Sequence, residues 1–136
     1  MTPPKARLYK KEYAHEVLRI AQSDAEAGKA IQSARAGRAE NLAYFAEQVV
    51  EKALKAVLCF RAVPFPASHD LRQLTELLPP QDTPPHGENL GELTIYGTVR
   101  RYEEGPWNLT WEEADLAFKV AADVLNWALT IVNKKA

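Results

Sequence analysis

The sequence predicts an all-α fold, an antiparallel up-and-down bundle of about five helices. Three observations lead there. Apolar residues recur at helical spacing along the longer stretches of the chain. Prolines and glycines stand at the breaks between those stretches. Residues suited to helix N-termini, serine, threonine and aspartate, follow two of the breaks.

The first helix is expected from about Tyr9 to Ala34, where Tyr13, Val17, Ile20, Ala21, Ala27 and Ile31 recur with charge between them. Gly37 closes it, since glycine takes the left-handed conformation that stops a helix. Asp24 interrupts the stripe between Ile20 and Ala27. A carboxylate facing a core needs a partner. Lys52 or Arg101 would serve, and the alternative is a place in water at the stripe's edge.

The second helix runs from about Ala39 to Phe60, on a stripe of Leu42, Phe45, Ala46, Val49, Ala53, Ala56, Val57 and Phe60. Glu51 stands four residues before Lys55, an orientation that supports a helix by a few tenths of a kcal/mol at most. Pro64 and Pro66 end the run. Ser68 is the expected N-cap of a short third helix, with Asp70 placing a carboxylate in its positive first turn. Leu71, Leu74 and Leu78 form that helix's apolar side, and Pro79-Pro80 stop it.

Pro79 to Gly87 holds four prolines and reads as a surface loop. A fourth, weaker helix covers roughly Glu88 to Val99, with Leu90, Leu93 and Tyr96 on one side. Gly91 and Gly97 weaken it by about 1 kcal/mol each relative to alanine. After a second loop, Glu103 to Leu109, the capping box Thr110-Trp111-Glu112-Glu113 opens a last helix that reaches about Val132. Its main stripe is Ala114, Ala117, Phe118, Ala121, Val124, Leu125, Ala128 and Val132. Leu116, Val120, Trp127 and Ile131 form a second one. A helix with two apolar sides is buried twice, either by its own neighbours or by a dimer partner.

With 136 residues the chain is expected to form one domain, residues 1–136, burying on the order of two-thirds of its unfolded surface. A net charge of −1 provides no global field for a polyanion, so any RNA contact needs a local patch. The single cysteine, Cys59, has no internal disulfide partner, which points to a reducing cytoplasm and a buried, inert thiol. Met1 to Lys5 lacks the apolar core of a signal peptide. Runs such as Ala56 to Phe60 are too short to span a bilayer, so a soluble cytoplasmic protein without a membrane partner is expected. There is no glycine-rich phosphate loop and no nucleophile elbow. His15, His69 and His86 are scattered, so neither a metal nor another cofactor is expected.

Arg100-Arg101-Tyr102 is the most suggestive local patch. Two guanidiniums beside an aromatic ring can pair with phosphate and stack on a base. Equally, Arg101 can pair with Glu103 or Glu104 while Tyr102 packs into the bundle. His69, in the first turn of a helix, is disfavoured in its charged form and is available as a base. Its alternative role is structural, capping the third helix with Ser68 and Asp70. Lys52 and Lys55 share one helix edge, positioned to meet phosphate or simply to be solvated.

Phe45, Gln48, Glu51, Lys52, Leu54, Lys55 and Ala56 fit the pattern aromatic–x–x–Gln–x–x–Glu–Lys–x–Leu–Lys–Ala. Ser68-His69-Asp70-Leu71 and Arg101-Tyr102 follow in order. In these features, from about Asn41 to Tyr102, the chain resembles the HEPN family (higher eukaryotes and prokaryotes nucleotide-binding domain). The resemblance implies a helical bundle acting on or near nucleotides and RNA. One branch comprises metal-independent ribonucleases, often toxins, that use an Arg-x(4–6)-His motif in a cleft shared by a dimer. This sequence departs from it: no histidine follows Arg100 or Arg101, and Arg61 to His69 is too long a spacing in the wrong segment. A second, standalone branch is encoded beside a minimal nucleotidyltransferase, which in some relatives adenylylates a tyrosine. Tyr102 is the nearest candidate here.

The reading that results is a homodimeric nucleotide- or RNA-binding protein of a toxin–antitoxin-like, two-gene module with a minimal nucleotidyltransferase. Arg100, Arg101, Tyr102, His69, Lys52 and Lys55 are its contact candidates, with Asp24, Glu51 and Asp70 in support. The alternatives are a divergent metal-independent ribonuclease and a non-catalytic protein-interaction bundle.

Overall fold

A computed structural model describes residues 5–97 and 109–133. The helices are α1 (Tyr13–Ala34), α2 (Ala39–Phe60), α3 (Leu71–Glu76), a 3-10 helix (Gly87–Leu93) running into α4 (Thr94–Gly97), and α5 (Trp111–Val132). No strand occurs among the described residues; one isolated antiparallel bridge joins Arg7 to Phe65. The all-α bundle expected from the periodicity is the observed architecture.

α2 is the centre of it and packs against every other helical element. Leu42, Ala46, Val49, Val50, Ala53, Leu54 and Val57 are all 0% exposed, and they point to several sides of the helix. Burying each such leucine or valine contributes on the order of 1.5–3 kcal/mol. So the helix enclosed by its own neighbours is α2. α5 turns Ala114, Ala117, Ala121, Val124, Leu125, Ala128 and Val132 to the core. Its second stripe is left at the surface, with Leu116 67% exposed and Val120, Trp127 and Ile131 half-buried.

α1 starts four residues later than its periodicity suggests. Arg7 exchanges both backbone hydrogen bonds with Phe65, at 2.9 and 3.1 Å, so the chain before Lys10 runs extended. The buried face of α1 is Ala14, Val17, Leu18, Ala21 and Gly28, rotated from the expected stripe: Ala27 is exposed. Gly28 sits there because the Phe118 ring occupies the space of a side chain; an added Cβ would lie 2.4 Å from Phe118 Cε1. At the other end Arg35, not Gly37, is the left-handed cap (φ 51°), and Gly37 (φ 69°) completes the turn. The Asn41 side chain accepts from the Arg38 amide at 2.8 Å to begin α2.

At α3 the cap is Asp70 and not Ser68. Asp70 Oδ1 accepts from the amides of Arg72 and Gln73, while Ser68 Oγ accepts from the amide of Asp70. The proline loop is held by an ion pair on a buried carboxylate: the exposed Arg61 guanidinium donates twice to Asp82, at 2.7 and 2.9 Å. The fourth segment is tighter than expected, 3-10 from Gly87 to Leu93 and α-helical only from Thr94 to Gly97. Its approach to α3 is close, since a Cβ on Gly91 would lie 3.1 Å from Arg72 Cβ. The Thr110–Glu113 capping box forms as expected.

Candidate functional site

One edge of α2 carries Gln48, Glu51, Lys52 and Lys55 at three- and four-residue spacing, which puts them on one side. α1 brings Asp24 to Lys52, and the two form an ion pair, with Gln48 Oε1 3.4 Å from the same ammonium. The partner that the interrupted stripe of α1 required is therefore Lys52. Lys55 pairs with Glu51 at 2.9 Å. His69, just ahead of α3, places Nδ1 2.9 and 3.1 Å from the two oxygens of Glu51. Asp70 is spent on its cap and stays out of the cluster.

Glu47 lies one turn back on α2, only 1% exposed. Its Oε2 accepts from Gln48 Nε2 at 2.7 Å, and its Oε1 has no hydrogen-bond partner. Burial first, and then the neighbouring Glu51 carboxyl, raise its pKa to about 8. Glu51 goes the other way. Burial pushes it up, but the Lys55 ammonium, the neighbouring Glu47 carboxyl and His69 outweigh that and hold it below the ordinary carboxylate value. At neutral pH the two carboxyls therefore hold one proton between them, which burial draws towards Glu47. Glu47 was not among the expected site residues.

The extended segment ahead of α1 completes the surroundings. The Tyr9 ring stacks on Phe65 at 4.8 Å and on Tyr13 at 5.7 Å, with the Arg7 guanidinium 5.0 Å from its centroid. These rings and Lys52, Lys55 and Glu51 line a cavity of about 240 Å³. A larger hollow of about 720 Å³ beside α3 is lined by Asp70, Glu76, Glu88 and Glu92 with one cation, Arg72, a poor setting for an anion. Sequence periodicity did not reveal the aromatic wall, because Tyr9 and Phe65 are far apart along the chain and meet only through the Arg7–Phe65 bridge.

Arg100, Arg101 and Tyr102 lie outside the described residues. Cys59 is buried, and burial pushes its thiol up to about 11, as expected for an inert cysteine. No group of three or more residues suited to a metal occurs among the described residues. No helix among them is long and apolar enough to cross a membrane.

The family profile described as HEPN domain matches residues 14–132. The crystal structure of ST0689, an archaeal HEPN homologue, aligns with a TM-score of 0.68 and 25% sequence identity, over 88% of this chain and 97% of that one. Comparison with curated proteins returns no match.

Proposed function

The chain belongs to the HEPN domain family, and from that premise we propose that it binds a nucleotide or RNA as one component of a module with a minimal nucleotidyltransferase. The observation that carries the binding part is the cavity lined together by Tyr9, Tyr13, Phe65, Lys52 and Lys55. Aromatic faces take a base, ammonium groups take a phosphate, and a ligand that needs both fits that combination. The proton on Glu47 helps. With it, the two lysines face two carboxylates, Asp24 and Glu51, rather than three.

Calorimetric titration with AMP, ATP and a short RNA tests this. Binding by the wild type that weakens at least tenfold in Lys52→Ala and Lys55→Ala supports the reading. A folded wild type that takes up none of the three ends it. The module is tested by co-purification with a minimal nucleotidyltransferase encoded beside it, and by intact mass after incubation with transferase and ATP. An added AMP on Tyr102 is the result expected of a modified toxin.

A second reading, a divergent metal-independent ribonuclease, is favoured by the Glu51–His69 contact. With Nδ1 donating to Glu51, Nε2 of His69 is left as the basic nitrogen. RNA cleavage without metal by the wild type, lost in His69→Ala, would establish it. Intact RNA in both samples would eliminate it.

A further inference from the structure

α4 is a single turn of four residues, Thr94–Gly97. A turn that short has no stability of its own and stays where its neighbours hold it. Its two ends are held differently. At the start, Thr94 Oγ1 accepts from the Leu71 amide at 3.1 Å, which ties that end to α3. At the far end, Gly97 lies directly on the carboxyl of Glu47. A Cβ there would stand 2.5 Å from Oε2, 2.6 Å from Cδ and 3.0 Å from Oε1. Between the two, the half-buried Tyr96 packs against both groups of core residues, the large one and the smaller one around Leu42 and Ala43.

Glu47 is 1% exposed, with one oxygen taken by Gln48 and the other without a hydrogen-bond partner. That setting suits a neutral carboxyl. A charged one needs several donors or water, and here it would stand beside the charge on Glu51. α2 is enclosed by the other helices and cannot turn to bring the group to solvent. The element free to give way is the short turn above it. From this geometry we propose that α4 is a proton-controlled flap, which rests on α2 while the Glu47 carboxyl is neutral and lifts about Thr94 when that carboxyl is charged. Burial, and then Glu51, place the change of state at about pH 8.

The neighbouring charged groups do not relieve the strain of ionisation. On α2, Lys55 attracts the Glu47 charge but is paired with Glu51, which also holds His69. α4 itself brings Tyr96. Glu92 of the 3-10 helix and Glu113 of α5 line a groove with it, and neither is a cation. Glu47, Glu51 and His69 form a run from the interior to the surface, the last with 70% of its side chain exposed. α4 covers the inner end of that run. The flap therefore sets whether water reaches the inner carboxyl of the pair that positions His69.

Hydrogen exchange read by mass spectrometry on the whole chain tests this, at about pH 6.5 and about pH 9, with times scaled for the intrinsic rate. In the wild type, protection of residues 94–97 is expected to fall at least fivefold at the higher pH, while α2 changes less than twofold. Glu47→Gln, which keeps the shape but cannot ionise, should hold the same protection at both. Gly97→Ala, which displaces α4 by bulk, should show low protection already at pH 6.5. A second measurement needs no variant: in the wild type, the carbon-13 shift of the Glu47 carboxyl and the amide shift of Gly97 should titrate with one midpoint. Unchanged protection in the wild type, the same loss in Glu47→Gln, loss spread evenly over the molecule, or two separate midpoints would each overturn the flap.

Discussion

Glu47 shows how much one side chain depends on its surroundings. The carboxyl sits under the backbone of α4, so that a Cβ on Gly97 would lie 2.5 Å from Oε2 and 2.6 Å from Cδ. Glu47 is buried and cannot swing aside, so Gly97→Ala is expected to cost about 1–3 kcal/mol in urea unfolding. The proton on Glu47 has a pH signature. Its folded pKa, about 8, lies above the ordinary 4.5, so its contribution to stability is complete below about pH 4.5 and is lost as pH rises to 8. Glu51, held below its ordinary value, works oppositely: its contribution is present above that value and fades as the solution becomes more acid. Glu47→Gln keeps the shape and removes the ionisation. The variant should melt several degrees above the wild type at pH 9, with the gap closing towards pH 5. A gap that does not change with pH would refute the assignment of the proton to Glu47. Of the candidate residues, Asp24 was readable only in part: a carboxylate in an apolar stripe called for Lys52, Arg101 or water at the stripe's edge, and the fold brings Lys52 to it. Glu47 was overlooked because two carboxylates four apart are ordinary on any helix; only burial from three dimensions distinguishes this pair.

At the scale of elements, both ends of α2 and the start of α5 agree with their local signals. Thr110 accepts from the Glu113 amide at 3.1 Å while the Glu113 carboxylate reaches back to the Thr110 amide at 3.2 Å. Thr110→Ala should cost about 1 kcal/mol in denaturant unfolding, and Thr110→Ser much less. The proline loop, by contrast, owes its position to a pair with no local signature. Asp82 is 4% exposed and receives two hydrogen bonds from Arg61, twenty-one residues earlier. Asp82→Ala leaves an exposed guanidinium that water can resolvate, at an expected cost of about 1–2 kcal/mol for the two lost bonds, and Arg61→Lys keeps only part of the pair because it loses the second bond. Thermal unfolding of the two variants checks this; equal stability of wild type and Asp82→Ala would contradict it. The late start of α1 and the 3-10 form of the fourth segment have similar causes. One is drawn out by a bridge to Phe65, the other pressed against Arg72 through Gly91.

For the whole molecule, the outer stripe of α5 is the part of the amphipathic pattern that the fold leaves at the surface, with Leu116 as its most exposed member. The homodimer expected from the sequence would use it. Sedimentation velocity is expected to show a dimer for the wild type that dissociates in Leu116→Glu, while a wild type that stays monomeric at every concentration removes the dimer from the proposal. The sequence by itself determined the all-α class, α2 from Ala39 to Phe60, the cap of α5 and the helix edge that Lys52 and Lys55 share. Each of these is written in neighbouring residues, through helical spacing or capping chemistry. Tertiary structure alone decided which helix is enclosed, where Glu47 keeps its proton, and that Tyr9, Tyr13 and Phe65 join in one wall beside Lys52 and Lys55. Those outcomes depend on which distant segments exclude water from a side chain. Periodicity along the chain records only that a face is apolar, not what will cover it.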